Sequence, residues 1–415
     1  IMLPKPIFYR PYKIVHNEVI VEIMVKTSES ISLISDVEVP SGDLLTEQKD
    51  VLEYCFNASL SKMVVNKPSL IFAEKPRDER FEYIEFLKRL LRELYRVFVG
   101  GLPFPRDLQT DFEEVKLDIR ADKHIYVIDV DNVFKDDIRY SMDKYVVDRF
   151  RELYSQGLGF LIFYGSPKKL VNIRNIRSGK RSLWYTLPTS GKRFGKALRP
   201  IQVSVLEDLK ILKLANLIWG KIDDFEHIEG HVDLDSYVVM LEDEFYRKIM
   251  GLASDPKMIV KVEPSKHDEE KLSGESLLHY GAKAFIVKYL IEKEKLVDYD
   301  VFTEHEMGDV ILDVFVKHPK HGDLAIEVET LYGTTLPLLK LRKTIDSRLS
   351  KGLKIWIVIP NPQFILFLKD LAKLRTIYRQ RYLDAIEFFT LDIYSLRLVS
   401  FSEIIGKIKQ IAGTK

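Results

Sequence analysis

Residues 304–343 read EHEMGDVILDVFVKHPKHGDLAIEVETLYGTTLPLLKLRK, and two short β-patterned runs meet in them. Side chains on a strand alternate sides, so GDVILDVFV should put Asp309, Ile311 and Asp313 on one face. In LAIEVET the same rule groups Ala325, Glu327 and Glu329 against Ile326 and Val328. Three or four carboxylates are thus expected to converge from neighbouring strands. At neutral pH they repel, and the cluster should cost stability unless a cation sits among them. Hard oxygen ligands in this number suit Mg²⁺ or Mn²⁺ rather than zinc.

Around this stretch the periodicity changes in a definite order. Residues 275–295 carry Leu277, Leu278, Ala282, Phe285, Ile286 and Tyr289 at helical spacing. Strands are expected at about 299–304, 309–317 and 323–329, a helix over about 336–350, and a strand, LKIWIVI, at 353–359. This α-β-β-β-α-β order, with its acids, resembles the PD-(D/E)XK nuclease superfamily over about residues 265–362. The resemblance implies that Asp313 and Glu327 bind a catalytic Mg²⁺ or Mn²⁺, one ion or two, with Asp309 the rival for the first position and Glu275 a further acid. The family lysine, two residues after the second acid, is Glu329 here. Lys340 and Lys343 on the following helix are the candidates to replace it, and Glu329 would complete the metal shell or orient the water.

At 415 residues the chain should hold two or three domains. Its formal net charge of +1 implies no global attraction to nucleic acid, so any attraction is local. The single cysteine, Cys55, excludes an intrachain disulfide and suits a reducing cytoplasm. No apolar run approaches the ~18 residues that span a membrane.

The first 265 residues read as α/β with a parallel sheet. The runs EVIVEIMV and SISLISD within 13–36 alternate like strands, and a helix should start near Leu44 with Thr46 as its N-cap. FEYIEFLKRLLRELYRVFV (81–99) is an amphipathic helix ending at Gly100-Gly101, and GLPFPRDLQTDF reads as loop. HIYVIDV (124–130) and GFLIFYG (159–165) are buried-type strands flanking a helix at about 141–156, a βαβ unit. A strand near 201–204, a helix over 205–219, and strands YVVML (237–241) and MIVKV (258–262) follow, then a polar linker at 263–276. The expected division is an α/β domain over 1–265 and a nuclease-like domain over 266–415.

The run HIYVIDV, with Asp129 and Asp131 at and beyond the strand's end, resembles a Walker B strand of the HerA/FtsK and type IV secretion coupling ATPases. No G-x-x-x-x-G-K-[ST] occurs, and SGKRFGKAL from Ser190 is not one. The resemblance therefore implies a P-loop-ATPase-like domain, a degenerate one without nucleotide or hydrolysis. An alternative resemblance of the D-x-D-x-V run is to haloacid-dehalogenase phosphatases. It implies Asp129 as nucleophile, Asp131 as acid/base and Ser166 as phosphate binder, with Asp223-Asp224 the only downstream acid pair.

Residues 168–199 contain Lys168, Lys169, Arg174, Arg177, Lys180, Arg181, Lys192, Arg193, Lys196 and Arg199, and no acid. Trp184, Tyr185 and Phe194 lie among them. Cations contact phosphates without reading sequence and aromatics stack on bases, so this stretch is the expected DNA surface. The combined expectation is a cytoplasmic, metal-dependent DNA endonuclease or DNA-processing protein of a mobile element or repair system. Its partners would be DNA and either a separate ATPase or further copies of the chain, with no membrane. The alternative is a DNA-binding assembly module whose two folds have both lost their chemistry.

Overall fold

The structure is a computed structural model that describes residues 53, 68–78, 81–108, 123–133, 158–175, 177–178, 181–182, 201–203, 208–228, 233–265, 276–333 and 336–412. The strand-like runs at 13–36, the helix from Leu44 with Cys55 (residue 53 apart), the helix at 141–156, Glu275, Lys180, Trp184, Tyr185, Lys192, Arg193, Phe194, Lys196 and Arg199 lie outside the described residues.

The first half is built on a sheet of β1 (Pro68–Glu74), β2 (Phe104–Leu108), β3 (His124–Asp129), β4 (Gly159–Gly165) and β7 (Ile201–Val203). All four pairings are parallel, in the order β2-β3-β4-β1-β7. The expected parallel sheet is present, and GFLIFYG forms β4 with every residue buried, as a strand covered on both faces should be. FPRDL, which the sequence suggests as loop, is β2. It lies at the sheet's outer edge, where Pro105 removes no needed ladder bond. Helix α1 (Ile84–Val99) lays Phe86, Leu87, Leu90, Leu91 and Leu94 against this sheet and closes at the left-handed Gly100. Two short helices follow strand ends, α2 (Val130–Val133) after β3 and α3 (Pro167–Arg174) after β4. Residues Arg177–Ser178 (β5) and Arg181–Ser182 (β6) pair as a minimal hairpin.

Helix α4 (Asp208–Ile218) is followed by α5 (Leu234–Ala253) and α6 (Pro256–Ile259). Two expectations fail here. YVVML lies within α5, and MIVKV falls in α6 and the turn after it. The cause in α5 is legible afterwards: Leu234, Tyr237, Val238, Leu241, Phe245 and Ile249 recur at helical spacing and are all buried, and Asp233 caps the N-terminus by accepting from Ser236 N–H.

The second half follows the expected order closely: α7 (Leu277–Glu292), β8 (Val301–Met307), β9 (Val310–His318), β10 (Gly322–Val328), α8 (Pro337–Leu349) and β11 (Lys354–Val358). The chain continues through α9 (Asn361–Leu366), α10 (Leu368–Tyr382), β12 (Ile386–Asp392), β13 (Arg397–Ser400) and α11 (Phe401–Ala412). The six-stranded sheet runs β13-β12-β11-β10-β9-β8, parallel across β10-β11-β12 and antiparallel elsewhere.

One feature of this sheet decides the site. Along β9, Val310 and Leu312 pack with Phe315 in a small cluster, whereas Val314 and Val316 belong to the main core. The strand therefore changes phase at Asp313. Its neighbour does the same: Phe302 and His305, three residues apart, both lie on Phe315 at ring separations of 6.1 and 4.6 Å. The change falls at Glu304, which has a left-handed φ of 49°. The register pairs Thr303 with Val314 and His305 with Leu312, which puts Glu304 opposite Asp313.

The expected boundary near 265 is not a gap in the packing. One buried core runs from Ile71 and Phe160 through Trp219 and Phe245 to Phe285, Ile326 and Phe388. Helix α5 packs directly on α7, where a Cβ built on Gly281 would lie 2.5 Å from the Ile249 carbonyl oxygen.

Candidate functional site: an acid row with its own cations

Asp313, at the phase change of β9, is central. The β9–β10 ladder ends at Ile326–Val314, and one step on Glu327 comes opposite Asp313. There the Val328 N–H donates to Asp313 Oδ2 at 2.8 Å instead of to a backbone carbonyl. Glu304, Asp313 and Glu327 therefore form a row across three adjacent strands, and Glu329 stands just past the end of β10.

Each acid faces a cation or a ring from a helix. Lys283 Nζ of α7 lies 2.5 Å from Glu304 Oε1, with both side chains essentially fully buried. His279, one turn earlier on α7, has Nε2 3.4 Å from Asp313 Oδ2 and 3.1 Å from the Val328 carbonyl oxygen. Arg348 of α8 forks onto Glu327, Nε to Oε1 at 2.9 Å and NH2 to Oε2 at 3.2 Å, and also donates to the Ile311 carbonyl at 2.8 Å. Glu329 accepts from Thr344 Oγ1 at 2.7 Å and lies 3.0 Å from Lys340 Nζ. Lys340, Thr344 and Arg348 are spaced four apart, so one face of α8 supplies all three.

The electrostatics follow this arrangement. Burial and then the Asp313 charge push the Glu327 carboxyl above its ordinary range, against the pull of Arg348. Burial pushes Asp313 the same way, but His279 and the Val328 amide outweigh it and hold Asp313 below the usual range. The two acids titrate as a pair in which Asp313 ionises first.

The sequence reading and the structure agree on Asp313, Glu327, Glu329 and Lys340 as neighbours. They part on Asp309, which sits in the turn before β9 with its carboxylate paired to Lys351, not on the face of Asp313. Lys343 is exposed on α8. The chain itself places the cations Lys283, Lys340 and Arg348 beside Glu304, Glu329 and Glu327. Among the described residues no group of three or more His, Cys, Asp or Glu side chains is placed to hold a metal together. Glu304, Lys283, His279 and Arg348 were missed. The polar stripe at every fourth residue of α8 was the available signal for Arg348; the left-handed backbone at Glu304 had none.

The loop after Glu329 is anchored by the first half. Buried Glu93 of α1 accepts from Arg96 NH1, Tyr246 OH and Tyr332 OH at 3.0, 2.8 and 3.0 Å. The Gly333 N–H donates to the Arg96 carbonyl at 3.1 Å, and a Cβ on Gly100 would lie 3.1 Å from the Gly333 Cα.

At the strand ends of the first sheet, Asp129 Oδ1 accepts from the Asp131 and Asn132 amides, and Lys75 Nζ stands 3.8 Å from its Oδ2. Asp131 accepts from Ser166 N and Oγ, both at 2.8 Å, while Lys169 Nζ donates to the Asp131 carbonyl oxygen at 2.9 Å. Ser166 and Lys169 are thus turned onto Asp131. Asp223 instead pairs with Arg397, far along the chain. The N-terminus of α1, which follows β1 as a phosphate-binding helix would, is already occupied by a carboxyl group: Asp235 Oδ1 accepts from Glu85 N–H at 3.1 Å. Of the basic stretch, Lys168 is exposed on α3, Arg174 donates to Gln202 at 2.8 Å, and Arg177 and Arg181 lie in the minimal hairpin.

Comparison of the chain with protein-family models, with curated proteins and with solved structures gives no match. No helix of the described residues is long and apolar enough to cross a membrane.

Proposed function

We propose that the chain is a DNA-processing protein whose second half hydrolyses phosphodiester bonds with a divalent metal held by Asp313 and Glu327. The observation that carries this reading is the meeting of these two carboxylates on adjacent strands, at a phase change, within an α-β-β-β-α-β order. The donor set is right for Mg²⁺ or Mn²⁺, being hard carboxylate oxygen. Both Glu327 oxygens are in the Arg348 fork, so a metal and the guanidinium compete for them. When bound, the ion would lower the pKa of its water and polarise the phosphate. His279 orients Asp313, and Lys340 with Thr344 fixes Glu329. Arg348, released from Glu327, stands in for the family lysine and offsets charge developing on the phosphate.

The first half supplies the DNA surface through Lys168 and the basic residues that follow it. ATP hydrolysis is not part of this proposal. The β1–α1 connection carries no glycine with which to cradle phosphates, and Asp235 occupies the helix terminus. The phosphatase alternative is the weaker one, because Ser166 is bonded to Asp131 through both its amide and its hydroxyl.

A second reading rests on the same Arg348 fork: a non-catalytic module in which the guanidinium has permanently replaced the metal. Calorimetric Mn²⁺ titration and plasmid nicking separate the two. The nuclease reading expects one Mn²⁺ site and Mg²⁺-dependent nicking, both lost in Asp313→Asn. Mn²⁺ binding that appears only in Arg348→Ala, with no nicking by the unaltered chain, would establish the module instead.

A further inference from the structure

A pocket of about 400 Å³ lies between α5, α7 and the turn joining β12 to β13, and none of its lining residues belongs to the acid row. Its volume is within the ~300–1,000 Å³ typical of small-molecule sites. Leu252, Phe285, Ile393 and Leu396 give it an apolar wall, and Lys248, Lys288 and Lys293 give it a cationic rim with Glu292 the lining acid. Lys248 is committed to Glu244 at 3.2 Å and to the Tyr394 ring at 3.5 Å. Among the described residues Lys288 and Lys293 have no carboxylate partner. Two uncompensated ammonium groups beside apolar surface call for a ligand that carries several negative charges and a flat apolar body.

The turn that forms one wall is held firmly. Asp392, fully buried, accepts from the backbone amides of Ile222, Asp223, Tyr394 and Ser395 at 2.6–3.2 Å. It thereby ties the turn to the segment after α4 and fixes Tyr394 and Ser395 in place. Leu396 closes the turn with a left-handed φ of 52°, a conformation that an unbranched turn with glycine would adopt without strain.

We propose that this pocket binds a nucleoside phosphate, with phosphates at Lys288 and Lys293 and the base against Phe285 and Leu396. It is distinct from the strand-end crevice of the first sheet and does not depend on the acid row being catalytic. A free nucleotide and the phosphorylated end of a nucleic-acid strand share this chemistry. Because α5 belongs to the first half and α7 to the second, an occupant would touch both.

The test is calorimetric titration of the whole chain with ADP, pyrophosphate and a 5′-phosphorylated trinucleotide. ADP should bind saturably, with Kd raised at least tenfold in Lys288→Glu/Lys293→Glu and unchanged in Lys75→Ala/Asp131→Asn. The double variants' ligand-free melting temperatures check their folding, and Lys288→Ala, a milder change, should raise Kd severalfold. Pyrophosphate should bind more weakly than ADP. A trinucleotide that outcompetes ADP would assign the site to a strand end; ADP that outcompetes it assigns a free nucleotide. No saturable ADP binding, or binding abolished by Lys75→Ala/Asp131→Asn and untouched by the lysine reversals, overturns the proposal.

Discussion

Glu327 and Arg348 show how differently a residue behaves once its partner is known. Taken as one of several repelling carboxylates, Glu327 should be removable at no cost to stability. In the structure its removal strands a guanidinium whose side chain is only 14% exposed. Breaking a buried pair from one side typically costs about 3–5 kcal/mol, so Glu327→Ala should destabilise by about 3 kcal/mol in urea denaturation. Unchanged stability would mean that Arg348 finds another partner. The raised Glu327 also makes metal binding proton-linked. Mn²⁺ affinity should increase as pH rises through neutrality, because the ion must displace whatever proton the acid holds. A flat profile from pH 6 to 9 would contradict this. Asp235 gives a second pH-dependent term. Burial, with the Glu85 and Glu82 charges adding, pushes it up to about 7 against the pull of the α1 amides. Unfolded, it returns to about 3.9. Below that value the group is neutral in both states. Stability is lost as pH rises towards about 7, and above that the loss is constant. Asp235→Asn should therefore gain stability relative to the unaltered chain at pH 8 compared with pH 4, by on the order of 4 kcal/mol in paired denaturation curves.

At the scale of elements, the strands that sequence reading located best were those with a single reason to exist. GFLIFYG and HIYVID are continuous apolar runs, and burial on both faces is the only use for them. YVVML is as apolar and β-branched, yet its neighbours Leu234, Phe245 and Ile249 extend it at helical spacing, and the longer pattern prevails. PSLIFAE, which forms β1 between β4 and β7, carries no such continuous apolar run: Pro68, Ser69 and Glu74 bracket only Leu70–Ala73. The acid row was half legible. Alternation predicted Glu327 with Glu329 correctly as neighbours, but the phase change at Asp313 depends on a left-handed glutamate that no period announces. Helix contacts were not legible at all. Gly281 in α7 reads as a residue that alanine should improve, by about 1 kcal/mol of helix propensity. Its Cβ would press on the Ile249 carbonyl, a backbone atom that cannot step aside. Gly281→Ala should therefore lower stability by about 1–3 kcal/mol, as overpacking does. A raised melting temperature would show that α5 and α7 can separate freely.

Across the whole molecule, two sheets of different construction share one core, and the loop beyond Glu329 is pinned to α1 through Glu93. A fragment of residues 266–415 would expose the α7 surface that α5 covers. It should express poorly or bind hydrophobic dye, and the intact chain should melt in one calorimetric transition. Two well-separated transitions, or a stable monomeric fragment, would restore the independent domains that the sequence suggests.

The left-handed step at Glu304 has one more consequence, which concerns strangers and not the site. Among the described residues β8 is the outer strand of its sheet, and a straight outer strand offers a row of free amides and carbonyls to any other extended chain. Here the row is broken in the middle, so a visiting strand could pair with only three residues on either side of the step. The distortion that gathers the carboxylates also leaves the sheet a poor template for growth into fibrils.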